Sequence, residues 1–570
     1  MVATFERVWA WLRGFTGARG EELTAEDVDR LTSLFSERYH AFRQLLAANS
    51  KALTVIAEME QAALGGDVFG MPFVRSRCTA AGVAVYRMVR HLDALAPDKY
   101  EELFDRLEHI REQIQRAVTT RPPRVGEYLV APLTHVSAGH AGRIGSKMAN
   151  LGEARVAVGA SIPEGFVISA AAFDELLGHD DLDQEIFRKV QATEVKRTDE
   201  LFALSSQLQQ LITSAVVPEK LQRVIGSAVQ ELRTATGKHL RLAVRSSALG
   251  EDTAGASFAG QYRSQLNVRP ENLLDAYLDV VASKYTPQAM QYRLQRGLRD
   301  VDVAMAVGCL ALVDARVSGV TYTADPRDPD NDDVVVHATW GLPKAIVDGR
   351  FGNDSWTIQR GQPLVVRRRV LGVKHSIFVS DPDEGVARSE VDLDRASEPC
   401  MSEDEVYQVA QLALRLEKHF GVPQDIEWAI DQQGHLVLLQ CRPLLQISGD
   451  RPREAPPGAG ESIVHGGVCA SPGAASGPVH WVRSTTDALA LPDGAVLVLD
   501  HPLPRWAALL GRAVAVVAEE GNFAGHLATV AREMAVPALL GLEEAATLEQ
   551  GREVTVDADG LAVYGGEAVS

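Results

Sequence analysis

The segment DIEWAIDQQGHLVLLQCRP, residues 425–443, alternates apolar and polar residues on either side of Gln432-Gln433-Gly434 and reads as a β-hairpin. Asp425 and Glu427 are two apart, so they project from one face of the first strand, and Gln440 and Arg442 do the same on the second. A two- or four-residue loop that opposes Glu427 with Leu438 or Gln440 puts all four on one face. Carboxylates in that arrangement can hold Mg²⁺, and an adjacent arginine can bind the phosphates such a metal bridges. Alone, the cluster describes a surface charge patch equally well.

Two upstream segments tip the balance. RLAVRSSALGEDTAGASFAGQYRSQLNV (241–268) runs a strand into a loop of small residues. Arg245 is flanked there by Ser246 and Ser247, and Gly255, Ser257 and Gly260 let backbone amides approach an anion. HAGRIGSKMANLGE (140–153) has a glycine turn and then Lys147 in the first turn of a helix, where lysine and free amides together suit phosphate. It is not a Walker A loop, since Ser146 follows Gly145 and Met148 follows the lysine.

The bulk properties bound the setting. The chain has 570 residues, 46% hydrophobic and 23% charged, which describes an ordinary globular protein of several domains. A formal net charge of -19 argues against a nucleic-acid partner. Five scattered cysteines without a CxxC pair fit free thiols in a reducing compartment. No run of 18 apolar residues exists, so no membrane span and a cytoplasmic location are expected. At the N-terminus, Phe5, Val8, Trp9 and Leu12 have amphipathic helical spacing, and Glu6 and Arg7 interrupt any signal sequence.

Residues 1–125 read as a helical domain. Thr24 and Asp27 suggest a capping box, and Phe35, Tyr39, Phe42, Leu46, Leu53 and Ile56 continue a helical stripe until Gly65-Gly66. Further helices are expected over 79–95 and 98–118, then a proline-containing linker at 119–127. A mixed α/β region follows, and SGDRPREAPPGAGES (448–462) reads as a flexible tether before a compact α/β domain. The fold class expected is multidomain α/β.

GSKMANLGEA, SIPEGFVISAAAF, VRSSALGEDTAGASFAGQY, SGVTYTADP and DIEWAI…LLQCRPL together resemble the ATP-binding domain of the phosphoenolpyruvate synthase and pyruvate phosphate dikinase family, over about residues 130–446. The resemblance implies an ATP-grasp-like domain. It also implies that Lys147, Arg245 and Arg442 bind ATP phosphates with Asp425 beside them, and that Glu427 and Gln440 serve the Mg²⁺-nucleotide. One departure stands out: where the family usually has Gly-Leu-Gly-Glu, this chain has Gly341-Leu342-Pro343-Lys344.

GVCASPGAASGPV (467–479) and GHLATVAREMAVPALLG (525–541) resemble the swivelling phosphohistidine domain of the same family, placed here at 463–570 after a linker at 447–462. The family's Thr-Ser pair before the histidine is Ala524-Gly525, and its double glycine is Gly521-Asn522. His526 is then the phosphocarrier. A histidine at a helix N-terminus meets unpaired amides and a positive dipole end, which disfavour imidazolium and later stabilise a phosphoryl group. Arg532 and Glu533 read as supports of this helix, as contacts to the partner, or equally as an exposed ion pair.

The resemblance implies a dikinase-type phosphotransferase: ATP phosphorylates His526, AMP and phosphate leave, and the phosphoryl group passes on. Family members usually carry an acceptor domain, such as a C-terminal pyruvate-binding barrel. None is expected between these segments or after them, as in the divided subunits of phenylphosphate synthase. A small-molecule or protein acceptor on the N-terminal domain or a separate subunit is therefore expected, with oligomerisation left open. Arg75, Arg77 and His109 are ionisable residues of that domain but more often structural. The alternative is a nucleotide-binding regulatory or scaffold protein without turnover, which Lys344 and the altered residues before His526 favour.

Overall fold

A computed structural model of the chain describes residues 25–64, 71–97, 99–119, 128–192, 198–251, 262–295, 300, 303–326, 331–348, 352–444 and 462–566. The Phe5–Leu12 segment, Thr24, Gly65-Gly66, the loop glycines at 255 and 260, and nearly all of the linker and tether fall outside these residues. Two compact units emerge, Met1–Pro122 with Arg296–Leu298, and Pro123–Gln295 with Arg299–Ser570.

The described part of the first unit forms helices Ala25–Leu64, Met71–Leu95 and Glu102–Thr119. Forty residues without glycine or proline let the first run unbroken. The second begins well before residue 79, because Pro72 sits in its first turn, where the missing N–H costs no intrahelical bond. The third starts at Glu102, with Glu102 and Asp105 at the positive end of its dipole. No described helix is long and apolar enough to cross a membrane.

The second unit holds three sheets that concern the site. Strands Val130–Pro132, Gly165–Ile168, Met305–Ala311, Leu242–Ala248 and Ser264–Val268 form, in that spatial order, a five-stranded antiparallel sheet. Leu436–Pro443, Gln424–Asp431, Ala315–Tyr322, Val334–Trp340, Asp354–Gln359 and Val365–Val370 form a six-stranded antiparallel sheet. One apolar cluster joins them: Val167, Ala243 and Leu310 of the first pack in it with Trp356, Ile426 and Trp428 of the second. The helix Glu403–Phe420 contributes Val406, Val409, Ala413 and Leu416 to the same cluster. It opens on a Ser402–Glu405 capping box and ends at Gly421 in the left-handed region. Residues 462–565 build an eight-stranded mixed sheet whose centre, Ala474–Trp481, Ala495–Leu499, Ala513–Ala518 and Ala538–Leu540, is parallel. The architecture is the multidomain α/β arrangement, with a helical N-terminal region, that the sequence predicts.

The hairpin at 424–443 closes differently from either loop considered above. Ile430 pairs with Leu436 and Trp428 with Leu438, a register that alone would oppose Glu427 with Leu439. A β-bulge at Leu439 shifts it by one residue, so Glu427 pairs with Gln440 and Asp425 with Arg442. The bulge is what puts all four polar residues on one face.

Lys147 enters the site through an equally constrained turn. Gly145 has φ of 75°, and a Cβ there would lie 2.1 Å from the Ser247 carbonyl oxygen. Ser247 Oγ donates to the Ile144 carbonyl at 2.7 Å and accepts from the Met148 amide at 3.3 Å, tying the turn to the Arg245 strand. Gly145→Ala is therefore expected to destabilise the second unit by at least about 2 kcal/mol, from strain and backbone overlap together. A shift in the urea midpoint measures this; an unchanged midpoint would mean the turn relaxes freely.

Candidate active site

Lys147, Arg245, Asp425, Glu427, Gln440, Arg442 and His526 all line one cleft of about 620 Å³. The five-stranded sheet supplies Arg245, the helix Ser146–Glu153 supplies Lys147, and the six-stranded sheet supplies the hairpin residues. His526 arrives from the eight-stranded domain, as the first residue of the helix His526–Glu533.

Four cations of the cleft each have a carboxylate. Lys147 Nζ lies 2.5 Å from Glu251 Oε1. Arg245 Nη2 lies 2.5 Å from Glu427 Oε2 and donates to Gln440 Oε1 at 3.2 Å. Arg442 Nη2 lies 2.6 Å from Asp425 Oδ2, and its Nε donates to the same oxygen at 2.9 Å. Lys344, the residue that departs from the family pattern, pairs with Asp348 at 2.9 Å on the cleft wall. The bulge has a second role here, because the Leu439 carbonyl accepts from Arg245 Nη1 at 2.9 Å. Burial alone would raise the Glu427 carboxyl, but Arg245, Arg442 and Lys147 hold it below the ordinary glutamate value.

Glu251 is the residue that the sequence reading passed over. It is fully buried, accepts the Ala248 amide at 3.0 Å, and is the counter-ion of Lys147. It stands within the quoted VRSSALGEDTAG run, so the signal was present, yet nothing local tells a counter-ion from a surface acid.

The His526 ring is buried, and its Nε2 has no hydrogen-bond partner among the described residues. Its pKa is pulled down to about 3 by burial first, and then by Arg442 and Lys147. The neutrality expected from the helix dipole thus has a different main origin: desolvation, then Arg442 of the six-stranded sheet and Lys147 of the helix Ser146–Glu153. Arg532 is not an exposed ion pair. It is buried, its Nη1 donates to the carbonyls of Ala470 at 2.8 Å and Phe523 at 3.0 Å, and its guanidinium lies 4.3 Å over the Phe523 ring. It thereby fixes the loop that delivers His526. Phe523 in turn docks edge-on to Tyr322, with ring centroids 5.8 Å apart, and stacks on His337 at 6.1 Å.

Among the described residues no three His, Cys, Asp or Glu side chains gather as a metal cluster. The donors nonetheless fit Mg²⁺, which binds through one or two carboxylates together with substrate phosphates. Glu427 and Gln440 offer paired hard oxygens, both now held by the one Arg245 nitrogen.

Residues 141–462 match the family described as pyruvate phosphate dikinase, AMP/ATP-binding domain, and residues 491–560 match the PEP-utilising enzyme, mobile domain. The chain belongs to the phosphoenolpyruvate synthase and pyruvate phosphate dikinase family. A "Probable phosphoenolpyruvate synthase" of Archaeoglobus fulgidus is 33% identical over 432 residues, covering 74% of this chain and 56% of the relative. Its counterpart in Methanothermobacter thermautotrophicus is 32% identical over 431 residues, covering 75% and 62%. The phosphoenolpyruvate synthase of Neisseria meningitidis is 32% identical over 436 residues, covering 73% and 55%. The chain spans little more than half the length of these relatives. Among solved structures, D-cycloserine synthetase DcsG is similar at 12% identity over 39% of this chain and 54% of that one, with a TM-score of 0.17, too low to bear on fold or function.

The depressed His526 pKa gives a direct prediction. Because the ring's value in the cleft is lowered from 6.5 to about 3, protonation favours the undocked or unfolded ring as pH falls through that window. Each unit costs about 1.4 kcal/mol of docking free energy. Ring-labelled histidine NMR is expected to show His526 neutral at pH 5, with a midpoint raised in Arg442→Gln. A midpoint near 6.5 would place the ring in water.

Proposed function

We propose that this member of the phosphoenolpyruvate synthase and pyruvate phosphate dikinase family is an ATP-dependent phosphotransferase that uses His526 as a covalent phosphocarrier. What carries the reading is one juxtaposition: an unpartnered, neutral imidazole nitrogen lies in the same cleft as Lys147, Arg245 and Arg442. Cations chosen for phosphate would have no reason to surround a structural histidine, and a neutral ring is the form that can act as nucleophile.

In the proposed half-reaction the Nε2 lone pair attacks the β-phosphorus of ATP. The N–P bond forms as the bond to the bridging oxygen of the α-phosphate breaks, and AMP departs with that electron pair. The terminal phosphoryl group passes to water or phosphate; with water, phosphate is the second product. His526 keeps the β-phosphoryl group. Lys147, Arg245 and Arg442 bind the polyphosphate and offset the charge that develops on it. Glu427 and Gln440 would hold Mg²⁺, which would supply charge neutralisation to the nucleotide phosphates. Arg532 acts through the loop it holds, as a positioning residue.

Residues 130–446 would then be the nucleotide domain, and 463–570 a phosphohistidine domain that swivels on the 447–462 linker to reach an acceptor. That acceptor, a small molecule or protein, would be held by the N-terminal unit or a separate subunit. The second reading, a nucleotide-binding regulator without turnover, draws support from Lys344 on the cleft wall.

Incubation with Mg²⁺ and ATP labelled at the β or γ position separates the two. Acid-labile β label on the protein with AMP in solution, both abolished in His526→Ala and cut at least 100-fold in Arg245→Ala, is the expected outcome. ATP binding without label would favour the regulator.

A further inference from the structure

The stripe on the helix Ala25–Leu64 does not face its own unit. Ala41, Ala48, Ala52 and Val55 are the buried ones among the described residues of this helix, which packs against Met71–Leu95. Phe35, Tyr39, Phe42, Leu46, Leu53 and Ile56 are instead between 45% and 63% exposed. Large side chains outside and small ones inside invert the usual pattern of a surface helix. With the partly exposed Asn49 included, the outward positions follow one another at steps of 4, 3, 4, 3, 4 and 3 residues, a coiled-coil seam of three heptads. A single asparagine in an otherwise apolar seam is the device by which paired helices fix their register at some cost in stability.

We infer that this seam is an interface with the same helix of a second copy of the chain, packed antiparallel. Three observations select that occupant. The apolar run Phe5–Leu12 has only eight residues against the twenty-two of the stripe, too few to match it position for position. Six large side chains about half exposed offer on the order of 600 Å² per copy, and flanking arginine stems bring this to the roughly 800 Å² a standard interface needs. Charge beside the seam itself is also polar, with Arg38 flanking its first half and Glu60 continuing the stripe one step past Ile56. An antiparallel pair sets Tyr39 against Ile56, Phe42 against Leu53 and Leu46 against Asn49 of the second copy. The two asparagines then fall in adjacent layers on either side of the twofold axis, where their amides can pair with each other. The same register sets Glu60 of each copy against Phe35 of the other, one turn from Arg38, while Glu58 turns to Arg77 of its own unit at 2.9 Å.

The test is sedimentation of the full chain over a micromolar concentration series, with and without Leu46→Glu and Leu53→Glu, which alter exposed positions. The expected result is a dimer at twice the chain mass that each variant weakens at least tenfold with unchanged helical circular dichroism. A Leu46→Cys/Asn49→Cys chain should cross-link between copies. A dimer indifferent to both charges overturns the proposal, as does a monomeric wild type. In the monomeric case, slow amide exchange over 34–56 would point to a segment of the same chain as the cover, and fast exchange to an unoccupied face. Should a variant lose its helicity, Phe42→Ser replaces it.

Discussion

Cations held close together in a buried cleft must each be neutralised, and that requirement organises the site. An unpaired buried charge costs several kcal/mol, whereas a paired and hydrogen-bonded one can be sustained. Lys147, Arg245 and Arg442 accordingly meet Glu251, Glu427 and Asp425 at 2.5 to 2.6 Å. The backbone features that looked like local irregularities serve these pairs. The Gly145 turn brings Lys147 over the Arg245 strand, and the Leu439 bulge aligns Glu427 with Gln440 while giving Arg245 a carbonyl. The paired state also resists a bare anion, since a polyphosphate can take the cations only by stranding their carboxylates. A metal–nucleotide complex exchanges both partners at once, which is the form of ATP that such a cleft would select.

The histidine domain extends the same logic. Burying His526 beside Arg442 and Lys147 is tolerable because the ring carries no charge there. The docking energy comes from elsewhere, from Phe523 and Ala524 packed among Val320, Tyr322, Val335 and Ile346. Arg532 couples the two by gripping the Phe523 carbonyl and ring, so the apolar knob and the imidazole are held as one piece.

Much of this was legible in the chain, and what was not has physical reasons. Alternation around Gln432-Gln433-Gly434 gave the hairpin and its polar face, because strand periodicity is local. The bulge was hidden, since five residues between Ile430 and Leu436 say nothing of an extra residue three positions further on. Asp425, Glu427, Gln440 and Arg442 could be grouped by spacing, and Lys147, Arg245 and His526 by their loop and helix settings. That all seven share one cleft is a long-range fact, as is the counter-ion role of Glu251. The dipole argument for His526 also leads to a neutral ring, but the causes of its lowered pKa are burial and then Arg442 and Lys147, which lie far away in sequence. In the N-terminal helix the periodicity of the stripe was plain, but a hydrophobic period marks a face, and only the packed structure tells which face is inward.

On the proposed reaction, the ion pairs also explain how a phosphohistidine would leave a cleft full of cations. While nucleotide is bound, Lys147, Arg245 and Arg442 are engaged with phosphate, and their carboxylates are free to turn to a metal or to water. Once AMP departs, Glu251, Glu427 and Asp425 reclaim the cations with the short contacts seen here. The new phosphoryl group on His526 then faces carboxylates whose partners are taken, in a site where burying a further dianion costs much more than burying a neutral ring. Departure of the product thus turns a site that attracts the phosphoryl group into one that expels it. The apolar contacts of Phe523 would remain among the restraints on the domain's release, and a contact of that kind can be made again when the unmodified ring returns.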